Sequence, residues 1–213
     1  MIRIYGMHTP MFTKVVYAAE ELSLHYEIKN VDLMKAETRT PEHLERHPFG
    51  KVPVIEHEGQ FLFESNAILR YLGSLDSNRL YPSQKMERAL VDQWMEFYSN
   101  QPGRWATAYW YQKLIGPKFF NEAPDEKIIE QNLKMILEVM PVIDQRLGEK
   151  EFIAGERFTL ADLVAQIGFM GAQEAQIPLS DFKNFSRWST AVNARPAWKR
   201  TLEVCDLAAK KSV

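Results

Sequence analysis

The apolar periodicity of this chain changes character once, between Asp76 and Pro82, and that change constrains the fold more than any other feature. Before it, strand and helix patterns alternate. Ile2 to Tyr5 reads as a buried strand, Met11 to Leu22 as a helix with Val15, Val16, Ala19 and Leu22 on its inner face, and Tyr26 to Val31 as a second strand. This order predicts a βαβ unit with a parallel pair and a right-handed crossover. A short helix near Pro41 to Arg46 follows. Val52 to Glu56 and Gln60 to Phe63 then flank His57, Glu58 and Gly59, a cluster suited to closing an antiparallel hairpin. Ser65 is expected to cap a helix running through Ile68, Leu69 and Leu72.

Beyond Pro82 every strong segment has helical period. Helices are expected from Met86 to about Leu114 with a break near Pro102 and Gly103, and from about Asp125 to Leu147 with a kink at Pro141. Three more are expected at Thr159 to about Ala175, Phe182 to Asn193 and Ala197 to Ala209. Thr159 and Asp162 have the spacing of a capping box, with Phe158 and Leu163 placed as its hydrophobic staple. The fold class is therefore α/β plus all-α, with an α/β domain over residues 1–77 and an all-α domain over residues 85–213.

The chain's 213 residues suffice for two small cores. A formal charge of -2 offers no field for DNA, RNA or anionic lipid, so neither nucleic acid nor membrane is an expected partner. No basic stretch followed by an apolar run opens the chain, and no segment approaches the roughly 20 apolar residues of a spanning helix. Cys205 is the only cysteine, which excludes an internal disulfide and points to a reducing, cytoplasmic setting. With no cysteine near the first helix, any thiol chemistry borrows its thiol from a ligand. No metal is expected, because His43 and His47, four residues apart, have no further ligand nearby in sequence.

The stretch from Pro41 to Tyr71 carries the chemistry. A proline after Val52, opening a strand, can adopt the cis form and turn the Val52 N–H and C=O outward to pair with an extended peptide. Glu64 and Ser65 lie where a strand meets a helix start, so the Ser65 hydroxyl and free N–H groups suit a carboxylate while Glu64 suits a neighbouring ammonium. Together they describe a seat for an amino-acid head group.

Pro-Glu-His-Leu, His-Pro-Phe-Gly-Lys-Val-Pro-Val-Ile and Phe-Glu-Ser-Asn-Ala-Ile, with Phe-Thr-Leu-Ala-Asp-Leu further on, resemble the cytosolic glutathione transferases. Over residues 40–71 the resemblance is strongest to the phi class of plants and bacteria. It implies a thioredoxin-like N-terminal domain that binds glutathione, followed by a helical C-terminal domain of the transferase type. Val52 and Pro53 would hold the cysteinyl backbone, Glu64 and Ser65 the γ-glutamyl head, and Lys51 and Arg39 the glycyl carboxylate. In similar proteins the loop carrying Phe49 reaches into a neighbouring subunit, which implies a homodimer anchored by Phe49.

One departure concerns thiol activation. Read without gaps from Tyr5, the phi-class serine position falls on Pro10. The same stretch also resembles the yeast prion-like and nu-type bacterial members, in which a Thr-Pro-Asn segment approaches the glutathione sulfur, with Met11 here in the asparagine position. Thr9 is therefore the first expected thiol contact and Thr13 the second. His8, Met11 and Phe12, roofed by Trp105 and Tyr109 from the helical half, are expected to line a pocket for the electrophile. The implied activity is conjugation of glutathione to small hydrophobic electrophiles. Its rivals are a non-enzymatic adaptor of the same fold and a glutathione-dependent peroxidase or disulfide reductase.

Overall fold

The computed structural model describes residues 1–76 and 79–210. Ser77, the expected end of the first domain, lies outside them. The chain divides into two compact units, one formed by Met1–Gln84 together with the stretch from Ala194 onward, the other by Lys85–Asn193.

The first unit is built on four strands, β1 (Ile2–Gly6), β2 (Tyr26–Asn30), β3 (Val54–His57) and β4 (Gln60–Leu62), in the order β2-β1-β3-β4. β1 runs parallel to β2 and antiparallel to β3, and β3 runs antiparallel to β4. The expected βαβ unit and hairpin are both present. Glu58 and Gly59 close the hairpin with φ of 52° and 75°, the left-handed pair that matches strand twist. β3 starts two residues later than its apolar pattern, because Pro53 has no N–H to give to a ladder.

Helix α1 (Pro10–Glu21) is buried along nearly its whole circumference, including Phe12, Val15, Val16, Tyr17 and Ala19. Such a helix needs cover on two sides. The sheet is one side and α10 (Pro196–Lys210) the other. The Tyr17 and Trp198 ring centroids lie 5.1 Å apart, Arg195 makes a bidentate pair with Glu21 at 2.6 and 2.8 Å, and the Arg200 Nε donates to Glu20 at 2.9 Å. The last helix, grouped with the all-α half by sequence, thus belongs to the sheet unit. Two further helices complete that unit, α2 (Pro41–Arg46) and α3 (Ser65–Ser74).

The second unit is helical: α4 (Lys85–Asn100), α5 (Pro102–Trp110), a π turn at Tyr111–Ile115, α6 (Gly116–Phe120), α7 (Glu126–Glu149), α8 (Leu160–Gly168) and α9 (Lys183–Asn193). The long helix expected from Met86 is divided at Gln101, and α7 runs through Pro141 as one element. Gly103 cannot carry a side chain, since a Cβ there would lie 2.6 Å from the Tyr98 carbonyl oxygen and against Gly168. The capping box is formed, and Asp162 does more than cap. Its wholly buried carboxylate accepts from the N–H groups of Thr159 and Ile153 and from the Trp188 indole, each at 2.9 Å.

Burial pushes the Asp162 pKa up to about 6, against the pull of these donors. A carboxyl that holds its proton more tightly when folded contributes stability at low pH that is lost as pH rises from about 4 to about 6. Asp162→Asn replaces an acceptor with an N–H₂ group facing other donors, and is expected to cost about 2 kcal/mol in urea unfolding at pH 7. The wild type's advantage over this variant should shrink between pH 4 and 6; a constant difference would refute the assigned titration.

Candidate functional site

Sheet topology gathers three segments at one edge. β1 and β4 run in the same direction and β3 opposes both, so the ends of β1 and β4 and the start of β3 lie together. The loop into α1, the Lys51–Pro53 segment and the Glu64–Ser65 step occupy these positions.

Thr9 is the N-cap of α1, its hydroxyl oxygen accepting from the Phe12 N–H at 3.4 Å. The N-cap of α3 is Glu64 and not Ser65, which is the first helical residue. Glu64 uses no side-chain cap and holds φ at 65°, a conformation costing roughly 1–3 kcal/mol in a residue with a side chain. Neither helix has an acidic residue in its first turn, so both positive ends suit an anion. Two contacts tie the ends together: the Ser65 hydroxyl donates to the Met11 sulfur at 3.6 Å, and the Lys14 ammonium donates to the Asn66 side-chain oxygen at 2.9 Å.

The Lys51–Pro53 segment is held from behind by α2. His43 Nε2 lies 2.9 Å from the Lys51 carbonyl oxygen, which can only accept, so Nε2 carries the proton. Nδ1 is buried and has no partner among the described residues. His47 Nδ1 accepts from the Phe49 N–H at 3.1 Å, and burial lowers the His47 pKa, opposed in part by Glu64. Between these residues, Gly50 has φ of 58°, and a Cβ there would meet the Thr38 carbonyl oxygen at 2.4 Å. The Val52–Pro53 bond is cis, and no hydrogen bond within the described residues engages the Val52 backbone. Arg39 and Lys51 converge on Phe49, with charged groups 5.9 and 5.4 Å from its ring centroid, and Arg39 Nη1 donates to the Phe49 carbonyl at 3.2 Å.

Two expected site residues face the interior. Thr13 is fully buried and its hydroxyl makes no hydrogen bond among the described residues, while burial pushes the pKa of the neighbouring Cys205 thiol of α10 up to about 11. Phe12 is also fully buried, its ring so close under Gly6 that a Cβ on that glycine would lie 2.6 Å away. At the start of α1 only Thr9, Pro10 and Met11 stay partly or fully exposed before the helix becomes buried from Phe12 to Ala19. His8 is half-buried, with Nδ1 3.8 Å from an Asp206 carboxylate oxygen. In the second unit Tyr109 is buried and Trp105 half-buried on α5. The partner of His43 is a main-chain oxygen, so no side-chain pattern in the sequence marks this contact. A separate concavity of about 520 Å³ is lined by residues that include Lys29, Glu42 and Arg46. Arg46 pairs with Glu42 and Lys29 with Glu27, leaving little free charge for an ionic ligand.

Residues 1–74 match the family model of the glutathione S-transferase N-terminal domain, and residues 104–196 that of the C-terminal domain. A probable glutathione S-transferase of Oryza sativa subsp. japonica is 36% identical over 188 residues, which span 87% of each chain. A glutathione transferase of Populus trichocarpa superposes with a TM-score of 0.92 at 30% identity, over 97% of this chain and 99% of that one. Maize glutathione S-transferase I, solved with an atrazine glutathione conjugate, gives a TM-score of 0.87 at 28% identity, over 96% and 98% of the two chains.

If His43 fixes the Lys51 carbonyl, His43→Phe should increase amide exchange at Gly50, whose N–H donates to the His47 carbonyl at 2.9 Å just ahead of Lys51, and lower stability by about 1–3 kcal/mol. His43→Gln, which keeps a donor, should recover part of both. Equal exchange in all three proteins would remove His43 from the site's support.

Proposed function

This chain belongs to the glutathione S-transferase family, and from that premise we propose how its own residues bind glutathione and activate the thiol. The tripeptide lies along the sheet edge. The cysteinyl N–H and C=O pair with the Val52 backbone, adding an extra strand ahead of β3. The γ-glutamyl carboxylate rests on the Ser65 hydroxyl and the α3 N-terminus, its ammonium faces Glu64, and the glycyl carboxylate meets Lys51 and Arg39. The observation that carries this reading is the meeting of two helix starts, neither with an acidic first turn, beside a Val52 backbone that no hydrogen bond among the described residues engages.

The thiol then lies at the start of α1. Lowering a thiol pKa from about 8.5 to near 7 takes about 2 kcal/mol. A helix N-terminus contributes about 0.5–2 kcal/mol. One hydroxyl donating to the thiolate adds about 1.5–3 kcal/mol. Thr9 is the hydroxyl in place, Thr13 being turned inward. The thiolate attacks an electrophilic carbon, forming a C–S bond while halide leaves an aryl halide or the electron pair moves onto an enone or isothiocyanate. No covalent enzyme intermediate is needed, since the protein supplies ionisation and orientation. His8 and Met11, flanking the same helix start, border the reacting sulfur.

The assembly is proposed to be a cytoplasmic homodimer. Phe49 is 66% exposed, too apolar for so open a loop unless a partner covers it. Among the described residues no helix is long and apolar enough to cross a membrane.

Thr9→Val is expected to raise the pKa of the bound thiol by about one unit and to slow conjugation of a chlorodinitrobenzene-type substrate about tenfold below that pKa, with Thr9→Ser close to wild type. The pH profile of kcat/KM reads both, and an unshifted profile would remove Thr9 from thiol activation. Retention on immobilised glutathione with no turnover of any electrophile would favour the adaptor reading. For the dimer, gel filtration of Phe49→Ala should show a monomer; an unchanged dimer would count against the anchor.

A further inference from the structure

The sulfur of Met11 is the hydrogen-bond acceptor of Ser65, the hydroxyl assigned above to the γ-glutamyl carboxylate. A thioether is a weak acceptor, so it holds this hydroxyl loosely and yields it to a carboxylate. Met11 is the second residue of α1, 37% exposed, at the helix start where the thiolate is proposed to lie.

We propose that Met11 is an oxidative modification site, and that its conversion to the sulfoxide by a hydroperoxide weakens glutathione binding. The inference rests on the reading that Ser65 and the α3 N-terminus hold the γ-glutamyl head. In the reaction a lone pair on the Met11 sulfur attacks one peroxide oxygen. The S–O bond forms as the O–O bond breaks, and the departing oxyanion takes up the proton to leave as an alcohol or water. Sulfur loses two electrons and the peroxide gains them.

The product differs from the thioether where it matters. A sulfoxide oxygen is a strong acceptor on the same flexible side chain, one bond beyond the atom that already meets the Ser65 hydroxyl. Glu64 provides no side-chain cap, so the first-turn N–H groups of α3 are served by no carboxylate or hydroxyl at the N-cap position. The modified side chain turns toward these donors and competes with the ligand from within the protein. A sulfoxide carries no net charge, so it attenuates binding of a charged carboxylate without abolishing it.

Met1, Met34 and Met86, at 74%, 70% and 65% exposure, oxidise under any condition that reaches Met11, and Met7, whose sulfur accepts from the Leu33 N–H, lies near the same loop. The test therefore compares wild type with Met11→Leu, each against its own untreated sample. Both proteins are exposed to hydrogen peroxide, the oxidant is removed, and sulfoxides are quantified by peptide mass spectrometry. Affinity is then measured by calorimetry with the sulfur-free tripeptide in which aminobutyrate replaces cysteine, so the probe itself cannot be oxidised. Oxidised wild type should bind about fivefold more weakly, and methionine sulfoxide reductases should restore the original affinity. Met11→Leu should keep its affinity although its other methionines are oxidised. The inference is overturned if wild type with complete Met11 oxidation binds unchanged, if Met11→Leu weakens equally, or if Met11 stays reduced while Met34 is consumed. Absence of binding before treatment would instead refute the head-group reading, and this inference with it.

Discussion

Two helices start side by side because two strands run the same way. With β2-β1-β3-β4 order and β3 opposing both β1 and β4, the chain must leave β1 and β4 at the same edge of the sheet. Each exit leads within a few residues into a helix, so the partial positive charges of α1 and α3 accumulate there and repel one another. Neither helix neutralises its end with an acidic first turn. Apart from Glu64 at the α3 N-cap, no acidic residue stands at either helix start, and the remaining positive potential suits an anionic ligand. Because β3 begins at the same edge, main chain with free hydrogen-bonding groups is presented beside those charges. Glutathione, with a carboxylate at each end, a thiol that can become a third anion and an amide backbone between them, would complement that edge as proposed above.

Holding the edge in shape falls to residues that do not touch the proposed ligand. Register continued past the last ladder pairs places Pro53 between Gly6 and Glu64, so errors in the Lys51–Pro53 segment would reach both helix starts. His43 fixes the Lys51 carbonyl, and its orphaned Nδ1 shows that α2 gives up one hydrogen bond to do so. Glu64, which is proposed to face the ligand, adds a strained backbone to this support. A relaxed φ there would re-aim the Ser65 hydroxyl and the first N–H groups of α3, and the surrounding contacts of α1 and α3, including the pair between Lys14 and Asn66, offset the cost.

Parts of the site set by local chemistry were legible in the sequence, and parts set by packing were not. Val52-Pro53, Glu58-Gly59 and Thr159 with Asp162 each announce a backbone geometry through residue types that few other geometries demand, and all three appear as read. Glu64 and Ser65 stand at the expected strand-to-helix step, but the cap expected at Ser65 falls on Glu64, because capping preferences favour serine whereas the chain's entry angle puts glutamate at that position. Thr13 and Phe12 were misplaced for a different reason. A helical wheel shows one buried face when a helix lies on a sheet, and α1 has two, the second created by α10 from the far end of the sequence. Only tertiary structure reveals that Arg195 and Arg200 meet Glu21 and Glu20, and hence that the outward stripe of α1 is so narrow.

That narrow stripe bears on how an enzyme without a dedicated serine or tyrosine handles a thiolate. Thr9 already works as a cap, accepting a long 3.4 Å bond from the Phe12 N–H, and such a bond leaves the hydroxyl proton free to donate elsewhere. Accepting and donating reinforce each other: an N–H directed at the oxygen draws electron density from it and makes the O–H a better donor to an anion. The cap that Thr9 forms and the thiol activation proposed for it are therefore compatible in one hydroxyl. In the proposed complex the helix that Thr9 caps would also direct its positive end at the sulfur, so one side chain would bring both the fixed dipole and the fixed donor that a thiolate requires.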